Sequence, residues 1–405
     1  MSRQAHLQRV VRDARSERDG QAFVLVGSGS EPAIRYCLSE LDSDSDSDSD
    51  SESNQNTQTL DPTATYAVAL DGERVLECGP SSDDDRHPAE RLASRLVERW
   101  GTKTGTLLTP RTIPHDAALY LEGAGFSLTS SDCLERAREQ KTATERDRIE
   151  RAQTAATAGL ERAGEILAGA TVGGSDRALA FDGDPLTSER VRIAIDEAIV
   201  RAGGFPAGST VVRVGTGESR FTPDVVLRAG EPITLETTPH GPNEYYGGLT
   251  RTIIVDGDGG WERRAHVAVT HAFKSAASLL STEGPTVHAV EADLAAEVRA
   301  FGFEDGIETS VHGVGLEPRE RPLPGDEIGG DCVLRLEAAV VGEDGGEVRL
   351  ADCLERVVSE SESDSKSKSK SKSELRSGSE PESASRPIVD WLPRPSQSLE
   401  ASVLE

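Results

Sequence analysis

Five short segments in the second half of the chain carry side chains that are useful at a catalytic or metal site. An acid, Glu236, ends a strand-like run, and Thr-Arg-Thr follows a turn at 250–252. Further along come His312 in His-Gly-Val-Gly-Leu, Glu320 in Glu-Arg-Pro, and Glu337 inside an apolar run. Carboxylates and imidazoles transfer protons and bind divalent ions in many enzymes. These residues are therefore the candidates for the chemistry of this chain.

The elements around the candidates predict a mixed antiparallel sheet with covering helices. Two strand-like runs, 231–236 and 245–255, enclose a turn rich in Pro and Gly and predict a hairpin. Amphipathic patterns predict helices at 261–280 and 286–300. Further strand-like runs close this segment, so we expect an α+β domain.

The rest of the chain divides by composition. Residues 1–140 alternate strand and helix signals, which predicts an α/β N-terminal domain. The Ser/Asp-rich residues 42–58 are expected to be a low-complexity loop insertion in that domain. A long helix rich in Ala, Glu and Arg opens the second domain, residues 141–358. Residues 359–405, rich in Ser, Lys and Pro, are expected to be a disordered tail.

The charge and composition of the chain exclude several classes of partner. The 405 residues include 44 Lys and Arg against 71 Asp and Glu, a formal net charge of −27. Nucleic acids and anionic membranes are poor partners for such a chain. An acidic, Lys-poor surface suits a protein from a halophile, because concentrated salt screens self-repulsion. With no apolar run long enough for a membrane span or a signal peptide, we expect a cytoplasmic protein.

The ordered series of motifs resembles the creatinase, aminopeptidase P and methionyl aminopeptidase family, the pita-bread metallopeptidases, and among them the Xaa-Pro aminopeptidases. The resemblance covers about residues 142–357 and adds Val-Arg-Leu-Ala-Asp at 348–352 to the motifs above. It implies a pita-bread fold with two divalent metal ions, a peptide or a proline-containing dipeptide as substrate, and a homodimer.

The family's metal ligands carry over only in part. Glu236, His312 and Glu337 match three of them, although counting backward from Thr-Arg-Thr would place the first at Thr237. Gly248 and Ala351 stand where the family has its two bridging carboxylates. The neighbouring Asp352 could replace Ala351 only if a bulge turned it, because successive strand side chains point to opposite faces.

The family's substrate-handling residues are altered as well. Asp224 and Arg319 stand where the resemblance places two histidines that move protons or hold the reaction intermediate, and we expect them in the substrate-binding part of the site. Glu320 remains as a candidate catalytic acid or base, although a loop glutamate is more often merely solvated.

Charge arithmetic therefore predicts a degenerate centre. Two carboxylates supply −2, which balances one divalent ion and leaves two ions with an excess of +2. We expect at most one weakly bound ion (manganese, cobalt or zinc), or none, and a catalytically impaired pseudoenzyme. The alternatives are an active single-metal Xaa-Pro peptidase or dipeptidase, and a metal-free binding or assembly protein.

Overall fold

The computed structural model describes residues 2–38, 60–101, 105–215, 224–343, 345–358 and 387–400. The chain forms two compact units, Met1–Thr144 and Glu145–Glu405. The predicted loop insertion at 42–58 lies outside the described residues, as do residues 359–386 and 401–405 of the predicted tail. Among the described helices, none combines the length and the apolar character needed to cross a bilayer.

The first unit is a five-stranded sheet with helices, as predicted for an α/β domain. The strand order is β3-β2-β1-β4-β5, in which β1, β4 and β5 run parallel and β2 and β3 antiparallel to their neighbours. Its elements are α1 (Arg3–Arg18), β1 (Gly20–Ser28), α2 (Pro32–Leu38), β2 (Thr65–Leu70), β3 (Val75–Cys78), α3 (Pro88–Trp100), β4 (Thr106–Thr109), α4 (His115–Gly123), β5 (Ser127–Ser130) and α5 (Cys133–Glu139).

The second unit is built on a seven-stranded antiparallel sheet. The strand order is β12-β13-β14-β11-β10-β9, and β15 pairs with β14. Strands β6, β7 and β8 form a separate small sheet. The elements are α6 (Ala143–Ala168), β6 (Thr171–Gly173), β7 (Ala178–Phe181), β8 (Asp184–Pro185), α7 (Ser188–Arg201), β9 (Val211–Val214), β10 (Ile233–Thr237), β11 (Leu249–Ile253), α8 (Trp261–Leu280), α9 (Val287–Ala300), β12 (Ile307–Gly313), β13 (Cys332–Val341), β14 (Glu347–Val357) and β15 (Ile388–Trp391).

Two pairs of helices cover one face of this sheet and create two apolar cores. Helices α6 and α7 pack on β9 to β11, where Leu235 and Leu249 are fully buried. Helices α8 and α9 pack on β12 to β14, where Leu334 and Leu350 are buried. Because successive side chains of a strand point to opposite faces, every second side chain points away from these helices. We call that uncovered face of the sheet the site face. This arrangement is the predicted pita-bread fold.

Local sequence explains where the covering helices begin. The hydroxyl of Thr187 accepts a hydrogen bond from the backbone N–H of Arg190 and thereby caps α7. Thr286 caps α9 in the same way through the N–H of Ala289. Helices α6 and α7 approach closely at Gly159, where a Cβ atom would lie 3.0 Å from the side chain of Ile195. A larger residue at this position would crowd the contact between the two helices.

The prediction that all of residues 359–405 are disordered is wrong for residues 387–400. Strand β15 pairs with the end of β14, from Leu354 opposite Trp391 to Val357 opposite Ile388. Trp391 stacks on Phe273 of α8 with ring centroids 5.7 Å apart. Only a few apolar residues occur in this segment, so its sequence resembles a tail. The partner strand and the α8 core supply the contacts that hold it.

Candidate active site

Sheet register brings the central candidates into one row. Glu236 on β10 pairs with Thr250 on β11, which pairs with Ala351 on β14. Ala351 in turn pairs with Glu337 on β13, and Glu337 with Ser310 on β12. Residues directly opposite one another in an antiparallel sheet point to the same face. All five therefore lie across the site face, although their positions in the sequence are far apart.

The same alternation separates Glu236 from its neighbour Thr237. Thr237 points to the helix-covered side, where it is fully buried and its hydroxyl lies 3.1 Å from that of Thr210. Glu236, with a side chain that is 27% exposed, reaches the site face. Of the two residues that the motif spacing allows, Glu236 is the one on the same face as Glu337.

The two positions that carry bridging carboxylates in the resemblance provide no side-chain donor here. Gly248 has only backbone, and its N–H donates to Oε1 of Gln153 at 2.8 Å. Ala351 is fully buried between Thr250 and Glu337.

Asp352 points to the helix-covered side, as regular alternation requires. It is fully buried, and its carboxylate accepts hydrogen bonds from Arg251 at 2.6 Å and from Arg394 at 2.7 Å. The side-chain amide of Gln397 donates to it at 2.6 Å. Strand β14 pairs with β13 without a bulge across this region. Asp352 therefore does not replace Ala351 on the site face.

A closed ring of alternating charges occupies the site face. Its members are three acids and three arginines: Glu236, Glu337, Glu347, Arg213, Arg335 and Arg349. Within the ring, each acid contacts two arginines and each arginine contacts two acids, and Arg349 also contacts Glu308, an exposed acid outside the ring. The six formal charges therefore sum to zero.

Two of the arginines connect the outer parts of the ring. Arg213 on β9 lies 3.4 Å from the Glu236 carboxylate and 3.0 Å from that of Glu347. Arg349 on β14 lies 2.5 Å from Glu347 and also contacts Glu337. Glu347 is only 3% exposed, so its two guanidinium partners compensate the loss of solvation.

Arg335 links Glu236 to Glu337 and so completes the ring. Its guanidinium lies 3.3 Å from the carboxylate of Glu337 and 3.4 Å from that of Glu236, and it donates to Oγ1 of Thr250 at 2.9 Å. Burial tends to raise the pKa of Glu337, but the charges of Arg335 and Arg349 outweigh it and hold that pKa below its ordinary value. The Glu337 carboxylate is thus kept ionised by its two arginine partners.

His312 lies beside Arg335 on the same face, since the two residues are directly paired. It is buried, and its Nδ1 donates to the carbonyl of Gly313 at 2.9 Å. Burial lowers the pKa of His312 to about 4, and the charges of Arg335 and Arg319 act in the same direction. The imidazole is therefore neutral at physiological pH.

Glu320 and Arg319 lie next to strand β12. Glu320 is buried rather than solvated, and its backbone bridges to Gly313. Its carboxylate lies so close to Gly315 that a Cβ there would be 2.0 Å from Oε1. The guanidinium of Arg319 reaches the hydroxyl of Ser310 at 3.4 Å.

Asp224 is placed differently. Its carboxylate accepts a hydrogen bond from the backbone N–H of Glu189 at 3.2 Å and lies 3.5 Å from the hydroxyl of Ser188. Both partners belong to the first turn of α7, where a carboxylate stabilises a helix N-terminus. In the contacts that the structure describes, Asp224 therefore stabilises the N-terminal end of α7.

The side chains of the site face are a poor donor set for a metal ion. Across the described ranges, no three His, Cys, Asp or Glu side chains are grouped so that they could hold a metal ion. Glu236 and Glu337 instead share the guanidinium of Arg335.

Sequence reasoning missed four members of the ring, namely Arg213, Arg335, Arg349 and Glu347. Strand alternation carries a signal for two of them, because Arg335 precedes Glu337 by two residues and Arg349 precedes Ala351 by two. Residues two apart on a strand share a face, so arginines were to be expected beside both positions.

The family assignment follows from a sequence comparison. The model of metallopeptidase family M24 matches residues 147–353, which is slightly more than half of the chain. The chain therefore belongs to metallopeptidase family M24, whose members bind divalent metal ions. No curated protein matches the chain.

Solved structures with the same fold include three peptidases. The Xaa-Pro dipeptidase from Bacillus anthracis aligns with a TM-score of 0.66 and 15% identity, covering 87% of this chain and 94% of the other. The prolidase from Pyrococcus furiosus gives 0.62 and 17%, covering 84% and 95%. The X-Pro aminopeptidase from Thermotoga maritima gives 0.63 and 15%, covering 84% and 94%. At these identities the likeness establishes the fold, which confirms the pita-bread prediction.

Proposed function

We propose that this chain is a non-hydrolytic member of family M24, in which an arginine-glutamate ring replaces the dinuclear metal centre. The observation that carries the proposal is the position of Arg335 between Glu236 and Glu337. These two acids are the carboxylates that the family resemblance assigns to metal binding. They are neutralised by a side chain of the protein itself.

The missing ligands support the same conclusion. Two divalent ions held close together need bridging carboxylates to offset their mutual repulsion. Gly248 and Ala351 supply no such group, and Asp352 pairs with Arg251 on the helix-covered face of the sheet. A pair of ions would add +4 to a ring whose formal charge is already zero. In a partly buried site that excess is strongly unfavourable.

Without a metal ion the site lacks an activated nucleophile. In dinuclear hydrolases the metal pair lowers the pKa of a bound water and polarises the scissile carbonyl. His312 is neutral and buried, and Glu320 is packed against Gly315, so neither stands in for that pair. We propose that the retained fold serves binding or assembly, with proline-containing peptides or a second copy of the chain as candidate partners.

The test measures metal content and turnover in the same preparation. The full chain is purified in high salt and incubated with Mn²⁺ or Co²⁺, and bound metal is measured by elemental analysis. Hydrolysis of Xaa-Pro dipeptides is followed with and without a chelator. We expect far less than one ion per chain and no turnover above the buffer rate.

Two results would contradict the proposal in different ways. Two tightly bound ions with rapid turnover would mean that the centre is intact. One bound ion with turnover that a chelator abolishes would favour a single-metal Xaa-Pro peptidase. Calorimetry with the same dipeptides and light scattering in the presence of a chelator then separate peptide binding from homodimer formation.

A further inference from the structure

Arg335 takes an unusual path for a strand residue. It belongs to β13, yet it donates to Thr250 on β11 and approaches Glu236 on β10. Strand β14 lies between β13 and β11, so the side chain must cross it. The residues of β14 in this part of the site face are Ala351 and Cys353, which are both small and buried. The crossing is possible because no long side chain stands in its way.

Gly248 lies at the other end of this path, next to the guanidinium of Arg335. A Cβ atom at residue 248 would lie 3.5 Å from Nε of Arg335 and 2.9 Å from the methyl group of Thr238. A Cβ here would therefore make ordinary van der Waals contact with the guanidinium, and its tight contact would be with Thr238. Ala351, one of the two positions without a ligand, thus leaves the path of Arg335 open, and Gly248, the other, lies at the end of that path.

The Nε–H of Arg335 has no acceptor among the residues that the structure describes. The side chain is only 9% exposed and Nε is buried, while both terminal nitrogens face carboxylates. A buried N–H without an acceptor is unfavourable. A carboxylate at residue 248 would lie next to this donor and would pair with Arg335.

We propose that Arg335 is an internal cation that takes the place of the metal pair and excludes divalent ions from this site. The inference rests on the proposed loss of the metal centre and goes further, because it names the residue that maintains that loss. A guanidinium is protonated at all physiological pH values, so the exclusion is permanent. Restoring the two missing carboxylates would therefore not restore metal binding while Arg335 is present.

The experiment compares metal binding in three forms of the full chain. These are the wild type, the double variant Gly248→Asp/Ala351→Glu, and the triple variant that adds Arg335→Met. Met has a similar length but no charge. Mn²⁺ binding is measured by calorimetry and by elemental analysis after gel filtration. We expect no tight binding by the wild type or the double variant, and binding at least tenfold tighter by the triple variant than by the double variant.

The possible outcomes separate this inference from the proposed function. If the double variant binds Mn²⁺ as tightly as the triple variant, or if the folded triple variant binds no better, Arg335 is not the excluding residue. The proposed function stands in both cases. If the wild type already binds two ions, the proposed function fails first.

A second measurement does not depend on the triple variant folding. Without metal, Gly248→Asp is compared with the neutral, isosteric Gly248→Asn by thermal unfolding, and the pair is repeated with Arg335→Met. Both replacements meet the methyl group of Thr238 alike, so that steric cost cancels. We expect Asp to give the higher Tm only when Arg335 is present. An advantage of Asp that persists without Arg335, or no advantage in either background, would overturn the inference.

Discussion

Replacing Asp352 by Ala should strongly destabilise the second unit, although Asp352 does not lie on the site face. Asp352 is fully buried, and its partner Arg251 has a side chain that is 1% exposed. Two charges about 4 Å apart interact by about 4 kcal/mol at an effective dielectric constant of about 20. Removing one partner of a buried ion pair typically costs about 3–5 kcal/mol, because the other charge stays buried. We expect a loss of this size in the free energy of unfolding.

The loss should also be visible in thermal unfolding. For a unit of this size, about 1 kcal/mol corresponds to roughly 2–4 °C, so we expect Tm to fall by about 6–20 °C. Among the described residues, the other hydrogen-bond partners of Arg251 are carbonyl oxygens, including those of Pro395 and Ser396, which supply no counter-charge. Circular dichroism of the full chain during urea and thermal unfolding measures both quantities.

A carboxylate from the same region provides the control. Asp390 on β15 is exposed, and Asp390→Ala should change stability by less than about 0.5 kcal/mol. If Asp352→Ala lost less than about 1 kcal/mol, the carboxylate would not be paired behind the sheet. Asp352 would then again be a candidate ligand beside Ala351, and the argument for a degenerate site would weaken.

Two further predictions concern pH and salt. Burial lowers the pKa of His312 to about 4, against about 6.5 when unfolded, so between these values the unfolded chain binds a proton that the folded chain does not. The free energy of unfolding should therefore fall on going from pH 8 to pH 5, and it should fall by about 2 kcal/mol more in the wild type than in His312→Gln. Urea unfolding at both pH values measures this difference. An equal fall in the two proteins would contradict the lowered pKa of His312. With a formal net charge of −27, the chain should also gain Tm as KCl rises from 0.1 M to 2 M, and an unchanged Tm would argue against a halophilic protein.

Much of the second unit could be predicted because the relevant signals are local. Amphipathic spacing predicted the helices that the structure shows at Trp261–Leu280 and Val287–Ala300. Strand alternation was enough to expect that Asp352 faces away from the site. Such inferences need only the geometry of a single element.

The ring was not predicted, because it depends on pairing between distant strands. Arg335 and Glu236 are 99 residues apart in the chain, and Arg213 and Glu347 are 134 apart. Alternation assigns each of them to a face only once the core side of its strand is known, and it says nothing about which strands are neighbours. Register across five strands decides which arginine meets which acid.

The C-terminal segment was also not predicted, because its order depends on contacts with distant parts of the chain. Residues 387–400 contain few apolar side chains, and by composition they resemble a disordered tail. Pairing with β14 and the stack of Trp391 on Phe273 order them all the same. Arg394 and Gln397 then bring polar groups to Asp352 behind the sheet. A segment whose contacts come from its surroundings leaves little signal in its own sequence.

The sequence by itself determined the family, the order of the elements and the absence of carboxylates at Gly248 and Ala351, because these depend on residue identity and local periodicity. Only the tertiary structure decided what replaces the missing groups. Arg335 on β13 can neutralise Glu337 of its own strand together with Glu236 of β10 only after the sheet has brought Glu236 within 3.4 Å. Electrostatic interactions depend on distance in space, and that distance is set by the fold.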